Sequence, residues 1–229
     1  MGTHLFNFVA KYWLLILEFM IIGYIFGSLN TPIIITKIFS RGTDIRNMES
    51  GNAGFANVLR CMGKWVAILV FVVDILKIFL AMFYVKLRVS YIAPSYLIYF
   101  LYIMGISGLI GNLYPCFFRF QGGKGILFSL AMILFINYRI AIILLSIFII
   151  VTLISKMISL GSILAAFFHP IVTFYLYYAQ KKYTINTIMY VTILSSIMSS
   201  IIIYRHKENI KRILNKTERK VFIKKQGKV

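Results

Sequence analysis

Long apolar runs alternate with short polar connections along this chain, and seven apolar segments stand out. They cover residues 13–35, 65–85 and 96–113, a shared run over 126–154, and then 160–178 and 185–204. A helix crossing the hydrocarbon core of a bilayer needs about 20 apolar residues. The 126–154 run is too long for one straight crossing and too short for two full ones, which need about 40 residues. It is interrupted only at Asn137-Tyr138-Arg139, so the pattern predicts two short helices joined by a tight turn at Asn137, with one long tilted helix as the other arrangement it allows. The predicted fold is an all-α integral membrane bundle of about seven transmembrane helices. Residues 1–204 form the transmembrane domain, and residues 205–229 a basic cytoplasmic helix and tail.

Composition agrees with this class. Sixty per cent of the 229 residues are hydrophobic and the mean hydropathy is +0.86, far above a water-soluble domain. The formal net charge of +19 would suit nucleic acid, but the apolar bulk points instead to anionic lipid headgroups or an anionic substrate. The apolar N-terminal segment lacks a small-residue cleavage site and reads as a retained helix rather than a removed signal. Cys61 and Cys116 form no metal or redox pattern, and both fall in connections on the cytoplasmic side, where no disulfide is expected.

The charges also set an orientation. Lys37, Arg41, Arg46, Arg60, Lys64, Arg119, Lys124, Lys156 and the ten Lys/Arg after Tyr204 fall on one side if there are seven spans. Lys86, Arg88, Arg139, Lys181 and Lys182 fall on the other. Positive residues favour the cytoplasmic side, which puts the N-terminus outside and the C-terminus inside. Six spans would separate the basic tail from the first two basic loops. Residues 206–221 read as a surface helix on which His206, Asn209, Ile210, Ile213 and Leu214 share the inward face, opposite Lys207, Glu208, Lys211 and Arg212. Residues 224–229 are expected to lie near anionic lipid.

Polar groups at a membrane need partners or a task. Three cytoplasmic stretches concentrate them. The sequence Gln121-Gly122-Gly123-Lys124-Gly125 enters an apolar segment and combines backbone N–H groups, a helix start and a lysine. That suits a phosphate cradle, with a flexible basic loop as the plainer reading. It is not a P-loop, because Gly125 stands where Ser or Thr would hold magnesium. Arg46 and the run Ser50-Gly51-Asn52-Ala53-Gly54-Phe55-Ala56-Asn57 offer a planar fork, side-chain donors and open backbone. The plainer reading is a polar turn. His206-Lys207-Glu208-Asn209 is the third stretch. Asp74 and Lys77, three apart within an apolar segment, read as a structural buried ion pair.

In this order the residues resemble the acyl-phosphate-dependent glycerol-3-phosphate acyltransferases of bacterial membranes, the PlsY family. The likeness is carried by Gly27-Ser28 with Lys37, by Asp44-Ile45-Arg46 and by Ser50 through Arg60. It continues through Asp74-Ile75-Leu76-Lys77, Gly111 through Gly125, Ser159-Leu160-Gly161-Ser162 and His206 through Lys220. No HxxxxD element follows His4, His169 or His206, unlike the other large class of such acyltransferases. The resemblance implies a multi-pass protein of the bacterial inner membrane with a cytoplasmic active site. It implies acyl transfer from acyl phosphate to the 1-hydroxyl of glycerol 3-phosphate, giving lysophosphatidic acid, without cofactor, metal or covalent acyl-enzyme.

By the same resemblance Lys124, His206, Asn209 and Ser50 are catalytic, and Arg46, Gly51, Asn52, Gly54, Asn57, Asn112, Gly122, Gly123 and Gly125 bind substrate. The chain departs from the family at Asn30, Glu49, Ala56, Asn112 and residues 126–128. Asn112 replaces a histidine, Ala56 a threonine and Glu49 a glycine. A second reading therefore keeps fold and donor but changes the small acceptor. A third is a non-enzymatic transporter or anion-binding membrane protein, although such a protein should expose polar groups on both membrane faces.

Overall fold

A computed structural model describes residues 2–220 and is helical almost throughout. Its helices are α1 (Gly2–Ser28), α2 (Thr31–Phe39), α3 (Phe55–Ile92), α4 (Leu97–Leu113), α5 (Ile126–Ile136), α6 (Tyr138–Ser155), α7 (Ile158–Ala179), α8 (Ile185–Arg205) and α9 (Lys207–Leu214). Six stretches among the described residues are long and apolar enough to cross a membrane, and the 11-residue α5 is the shorter seventh. At 1.5 Å per residue α5 spans about 16 Å, roughly half a bilayer core. The expected break at Asn137 is present: its extended backbone (φ −156°, ψ 99°) closes α5 and α6 follows at once.

The first apolar segment does not run as one helix. It stops after Ser28 and restarts at Thr31. Pro32 explains this, since in a continuous helix it would lack the N–H owed to Ser28 and its ring would meet that carbonyl. Asn30 caps the new helix, its Oδ1 accepting the Ile33 N–H at 3.2 Å. The break leaves carbonyls to satisfy, and Lys77 on α3 donates to the Leu29 carbonyl at 2.7 Å. Lys77 also pairs with Asp74 at 2.8 Å, and Asp74 accepts the Thr31 hydroxyl at 2.5 Å. The buried pair expected from the sequence thus stabilises a helix break.

A second interruption was not legible in the hydropathy. Within α3, Gly63 has φ +80° and ψ 179°, which separates residues 55–62 from the long apolar stretch 64–92. The tail helix is shorter than its sequence pattern predicts. It ends at Leu214, Asn215 caps it, and Lys216 turns the chain with φ +58°. The remainder of the expected helix, at 221, and the stretch 224–229 lie outside the described residues.

The chain divides into two compact units, one through Tyr138 and one from Arg139 onward. In the first, α1 and α4 touch backbone to backbone. A Cβ at Gly27 would lie 1.9 Å from the Gly108 carbonyl oxygen, and one at Gly111 would lie 2.2 Å from that of Tyr24. Lipid tails offer no hydrophobic drive for helix pairing, so small residues that allow this contact hold the pair together. The Ser107 hydroxyl adds a hydrogen bond to the Met20 carbonyl at 2.5 Å. In the second unit α7 packs against α8, while Gly161 lets α7 meet Phe148 and Thr152 of α6.

Gly27→Ala should separate α1 from α4 and cost about 1–3 kcal/mol, as overpacking does. The check is the thermal unfolding midpoint of the purified protein in detergent, which should fall.

Candidate active site

The 44–60 stretch folds onto itself before it can meet any ligand. Asp44 caps a short 3-10 turn, Ile45–Asn47, by accepting the Arg46 N–H at 3.0 Å. Ile45, Ala53 and Val58 are buried with Ile33 and Ile35 of α2, which fixes the loop to the helix bundle. Asn57, wholly buried, acts as a staple. Its Nδ2 donates to the carbonyls of Ile45 and Met48, each at 3.1 Å, and its Oδ1 accepts the Ser50 N–H at 3.2 Å. Asn57 was expected to bind substrate; its donors and acceptor are engaged within the loop. Gly51 closes a turn on Met48, and Gly54 starts α3. Arg60 donates to the Ser50 hydroxyl oxygen at 3.1 Å. With a lone pair so occupied, the Ser50 O–H is left to donate elsewhere. Asn52 packs its amide against Gly54.

The second loop returns along the end of α4. Gly122 N–H donates to the Leu113 carbonyl at 3.1 Å and Gly123 N–H to that of Asn112 at 3.3 Å. Neither position has room for a side chain: a Cβ would lie 2.0 Å from Asn112 O at Gly122, and 2.4 Å from Ala53 O at Gly123. The second contact seats this loop directly on the first. Gly125 precedes α5 in the left-handed conformation with no side-chain cap, so the first-turn N–H groups of α5 open beside Lys124. Asn112 is buried beneath the turn.

Arg46 ties the two loops together. Its Nε and Nη2 donate to the two oxygens of Asp44 at 3.0 and 2.8 Å, and its Nη1 donates to the carbonyls of Phe118 at 2.7 Å and Gln121 at 3.1 Å. Four of its five donors are engaged, leaving one on Nη2. The Arg46 hydrogen bonds hold the Asp44 carboxyl down at about 2, despite partial burial. Asp44 is therefore ionised throughout the neutral range.

In the second unit, the tail motif is ordered around Glu218. Its Oε1 accepts from Ser159 Oγ and Asn209 Nδ2, each at 2.8 Å, and its Oε2 accepts from Arg212 Nε at 2.8 Å. Burial alone would raise the Glu218 carboxyl, but the Asn209, Ser159 and Arg212 hydrogen bonds outweigh it and hold the group below the usual carboxylate range. His206 is buried, with Nδ1 2.8 Å from the Ile202 carbonyl oxygen. That contact places the proton on Nδ1 and turns Nε2 away from the helix. The inward direction expected for His206 and Asn209 is present, since both are nearly fully buried.

The first unit therefore brings together Arg46, Ser50, Gly51, Asn52, Gly54, Asn57, Asn112, Gly122, Gly123, Lys124 and Gly125, while His206 and Asn209 lie in the second. Among the described residues no group of three His, Cys, Asp or Glu side chains gathers to hold a metal ion. A family model described as glycerol-3-phosphate acyltransferase matches residues 17–216. The chain belongs to the glycerol-3-phosphate acyltransferase family. A glycerol-3-phosphate acyltransferase of Fusobacterium nucleatum is 36% identical over 204 residues, covering 88% of this chain and 96% of the relative. One from Mycoplasmopsis synoviae is 34% identical over 215 residues, covering 89% and 93%. The crystal structure of PlsY, an integral membrane glycerol 3-phosphate acyltransferase, in its glycerol 3-phosphate form superposes with a TM-score of 0.74 at 31% identity, over 90% of this chain and 94% of that one. Membership makes the chain a membrane acyltransferase and excludes the transporter reading.

The sequence motifs include Asp44, Arg60 and Glu218 but give them no site role; Asp44 and Arg60 brace the loops of the first unit and Glu218 orders the tail motif of the second. Each had a signal in the chain. Asp44 stands two residues from an arginine, Arg60 stands three after an asparagine on a helix, and Glu218 is an acid within a run of bases.

Replacing Glu218 by Ala should destabilise the second unit by about 1–3 kcal/mol, because Asn209 and Ser159 lose a buried partner. In the unaltered protein Glu218's contribution is complete above the ordinary carboxyl range and is lost as pH falls through the lowered folded value. Unfolding midpoints measured between neutral and acid pH should converge for the two proteins at the acid end.

Proposed function

We propose that the protein transfers a fatty acyl group from acyl phosphate to the 1-hydroxyl of glycerol 3-phosphate, forming lysophosphatidic acid and releasing phosphate. The observation that carries this is the seating of the Gly122–Gly125 turn on the Ala53 carbonyl, with Lys124 and the opening of α5 beside it. A lysine and unpaired first-turn N–H groups make a locus for anions, and both substrates are phosphates. Ser50, its oxygen engaged by Arg60, offers a hydroxyl donor on the adjoining loop. Related proteins named for glycerol 3-phosphate, and one solved in a glycerol 3-phosphate form, support that acceptor.

In this reading the acceptor oxygen attacks the acyl carbonyl carbon and a carbon–oxygen bond forms. The carbon–oxygen bond to the phosphate breaks, and the hydroxyl proton leaves with a substrate phosphate. No acyl-enzyme is formed. The protein's work is to hold two anions in line and to stabilise the developing oxyanion. Lys124, Gly122, Gly123, Gly125, Ser50, Gly51, Gly54 and Asn52 serve the phosphates. His206 and Asn209 serve the acceptor or the oxyanion. Asn112 and Asn57 hold the loops in shape. The active site faces the cytoplasm of a bacterial cell, with the N-terminus outside, a reading that the charge asymmetry supports. The basic tail lies against anionic lipid.

Asn112 is compatible with this acceptor. It is buried and accepts the Gly123 N–H through its backbone, a contact any residue could make. The exchange of histidine for asparagine thus leaves the turn intact.

Supplied with palmitoyl phosphate and glycerol 3-phosphate, the purified protein should release phosphate and lysophosphatidic acid together. Lys124→Ala should lower both by about 100-fold or more, the scale for losing one charge-stabilising donor. Full activity of that variant would overturn the assignment of Lys124. Release of phosphate without lysophosphatidic acid would keep the donor and overturn the acceptor.

A further inference from the structure

The corner that precedes the Gly122–Gly125 turn is built from residues poorly suited to it. Arg119 and Phe120 adopt φ of +57° and +56°, the left-handed region that side chains disfavour. Two consecutive residues of this kind persist only when their surroundings impose the conformation. Backbone bonds hold part of it, the Phe118 and Phe120 N–H groups both donating to the Pro115 carbonyl at 3.0 Å, and Arg46 holds the rest. The carbonyls of Phe118 and Gln121 bracket the corner, and both accept hydrogen bonds from one nitrogen, Nη1 of Arg46, at 2.7 and 3.1 Å.

Arg46 can reach across only because its other edge is held. Asp44 takes Nε and Nη2 in a two-point pairing at 3.0 and 2.8 Å, and its Oδ1 also accepts the Arg46 backbone N–H. Lys37 lies 3.4 Å from the same carboxylate and 5.9 Å from the centre of the Phe118 ring. A rigid planar fork fixed on one edge aims its other edge. Flexible lysine at position 46 would pair with the carboxylate but would not hold two carbonyls at once.

We propose that Asp44 is a positioning residue for the phosphate-binding turn, acting through the Arg46 guanidinium. Both Asp44 oxygens are taken by Arg46, with Lys37 beside them. It orients Arg46, Arg46 pins the Arg119–Phe120 corner, and the corner delivers Gly122, Gly123 and Lys124 to their place against Asn112 and Ala53. The kinetic consequence rests on the acyl-transfer reading; the structural one does not.

Asp44→Asn tests both. The amide keeps one acceptor for Nε but presents N–H groups to Nη2, so the two-point pairing is lost. Hydrogen exchange followed by mass spectrometry should show the amides of residues 118–125 exchanging about tenfold faster, as expected when a charged hydrogen bond is lost, with α3 and α4 unchanged. Steady-state assays should show KM for glycerol 3-phosphate rising by about tenfold while kcat changes far less, the pattern of lost binding rather than lost chemistry. Asp44→Glu, which restores both oxygens, should recover much of the affinity. Unchanged exchange at 118–125 overturns the proposal, and so does a uniform rise across the unit, which would mark a general loss of fold. Local loosening with KM unaltered in an active enzyme also overturns it. If the unaltered protein fails to acylate glycerol 3-phosphate, the acyl-transfer reading falls, and exchange alone decides the role of Asp44.

Discussion

The backbone contact between α1 and α4 is the constraint on which the first unit depends. Because Gly27 lies against Gly108 and Gly111 against Tyr24, the two helices share one register along their length. Their C-terminal ends then fall side by side, and the Tyr24 hydroxyl reaches the Tyr114 carbonyl at 2.9 Å. From one end springs the break that starts α2 and the 44–54 loop. From the other springs the turn whose glycines bond back to Asn112 and Leu113. A slip of one helix turn would part the two loops by about 5 Å, more than any hydrogen bond spans.

The loops themselves are organised by polar side chains that bind one another and the backbone. Arg46 commits four donors to Asp44 and the Phe118 and Gln121 carbonyls, Asn57 binds the Ile45 and Met48 carbonyls, and Arg60 reaches Ser50 through Nη2. A phosphate site made only of mobile lysines would bind anions without ordering them. In the site proposed here, Arg46 and Arg60 brace the loops and Lys124 stands in the glycine turn they support. The helix break at Leu29 follows the same logic inside the membrane, where Lys77 satisfies a carbonyl that lipid would leave bare.

Much of this was legible in the chain. Apolar length announced the spans, and the polar triplet at Asn137 marked the α5–α6 break because hydrocarbon tolerates no polar run without a turn. Asp74 and Lys77 announced a buried pair by their spacing. Pro32 and Asn30 carried the break within the first segment, but hydropathy averaging smoothed over it. The use of Arg46 was hidden because its two carbonyl partners lie 72 and 75 residues away, and backbone acceptors leave no trace in composition. Glycines at 23 and 27 have the spacing of a helix-pairing motif, yet only the fold shows their partner. The division of the bundle into two units likewise has no signature in the linker-free sequence.

The elbow at Gly63 has a consequence for life in a real bilayer. The helix that follows it runs to Ile92, past its apolar 65–85 segment to Lys86 and Arg88, so it is free to cross at different tilts as the membrane around it changes. Membranes change thickness with acyl composition and temperature, and the tilt changes with them. A stiff helix would transmit each adjustment to its own N-terminus. The elbow instead places a joint between the tilting rod and residues 55–62, with Lys64 stacked on Trp65 at the interface. An enzyme of lipid synthesis built this way keeps its 44–54 and 114–125 loops in register while the membrane it helps to build becomes thicker or thinner.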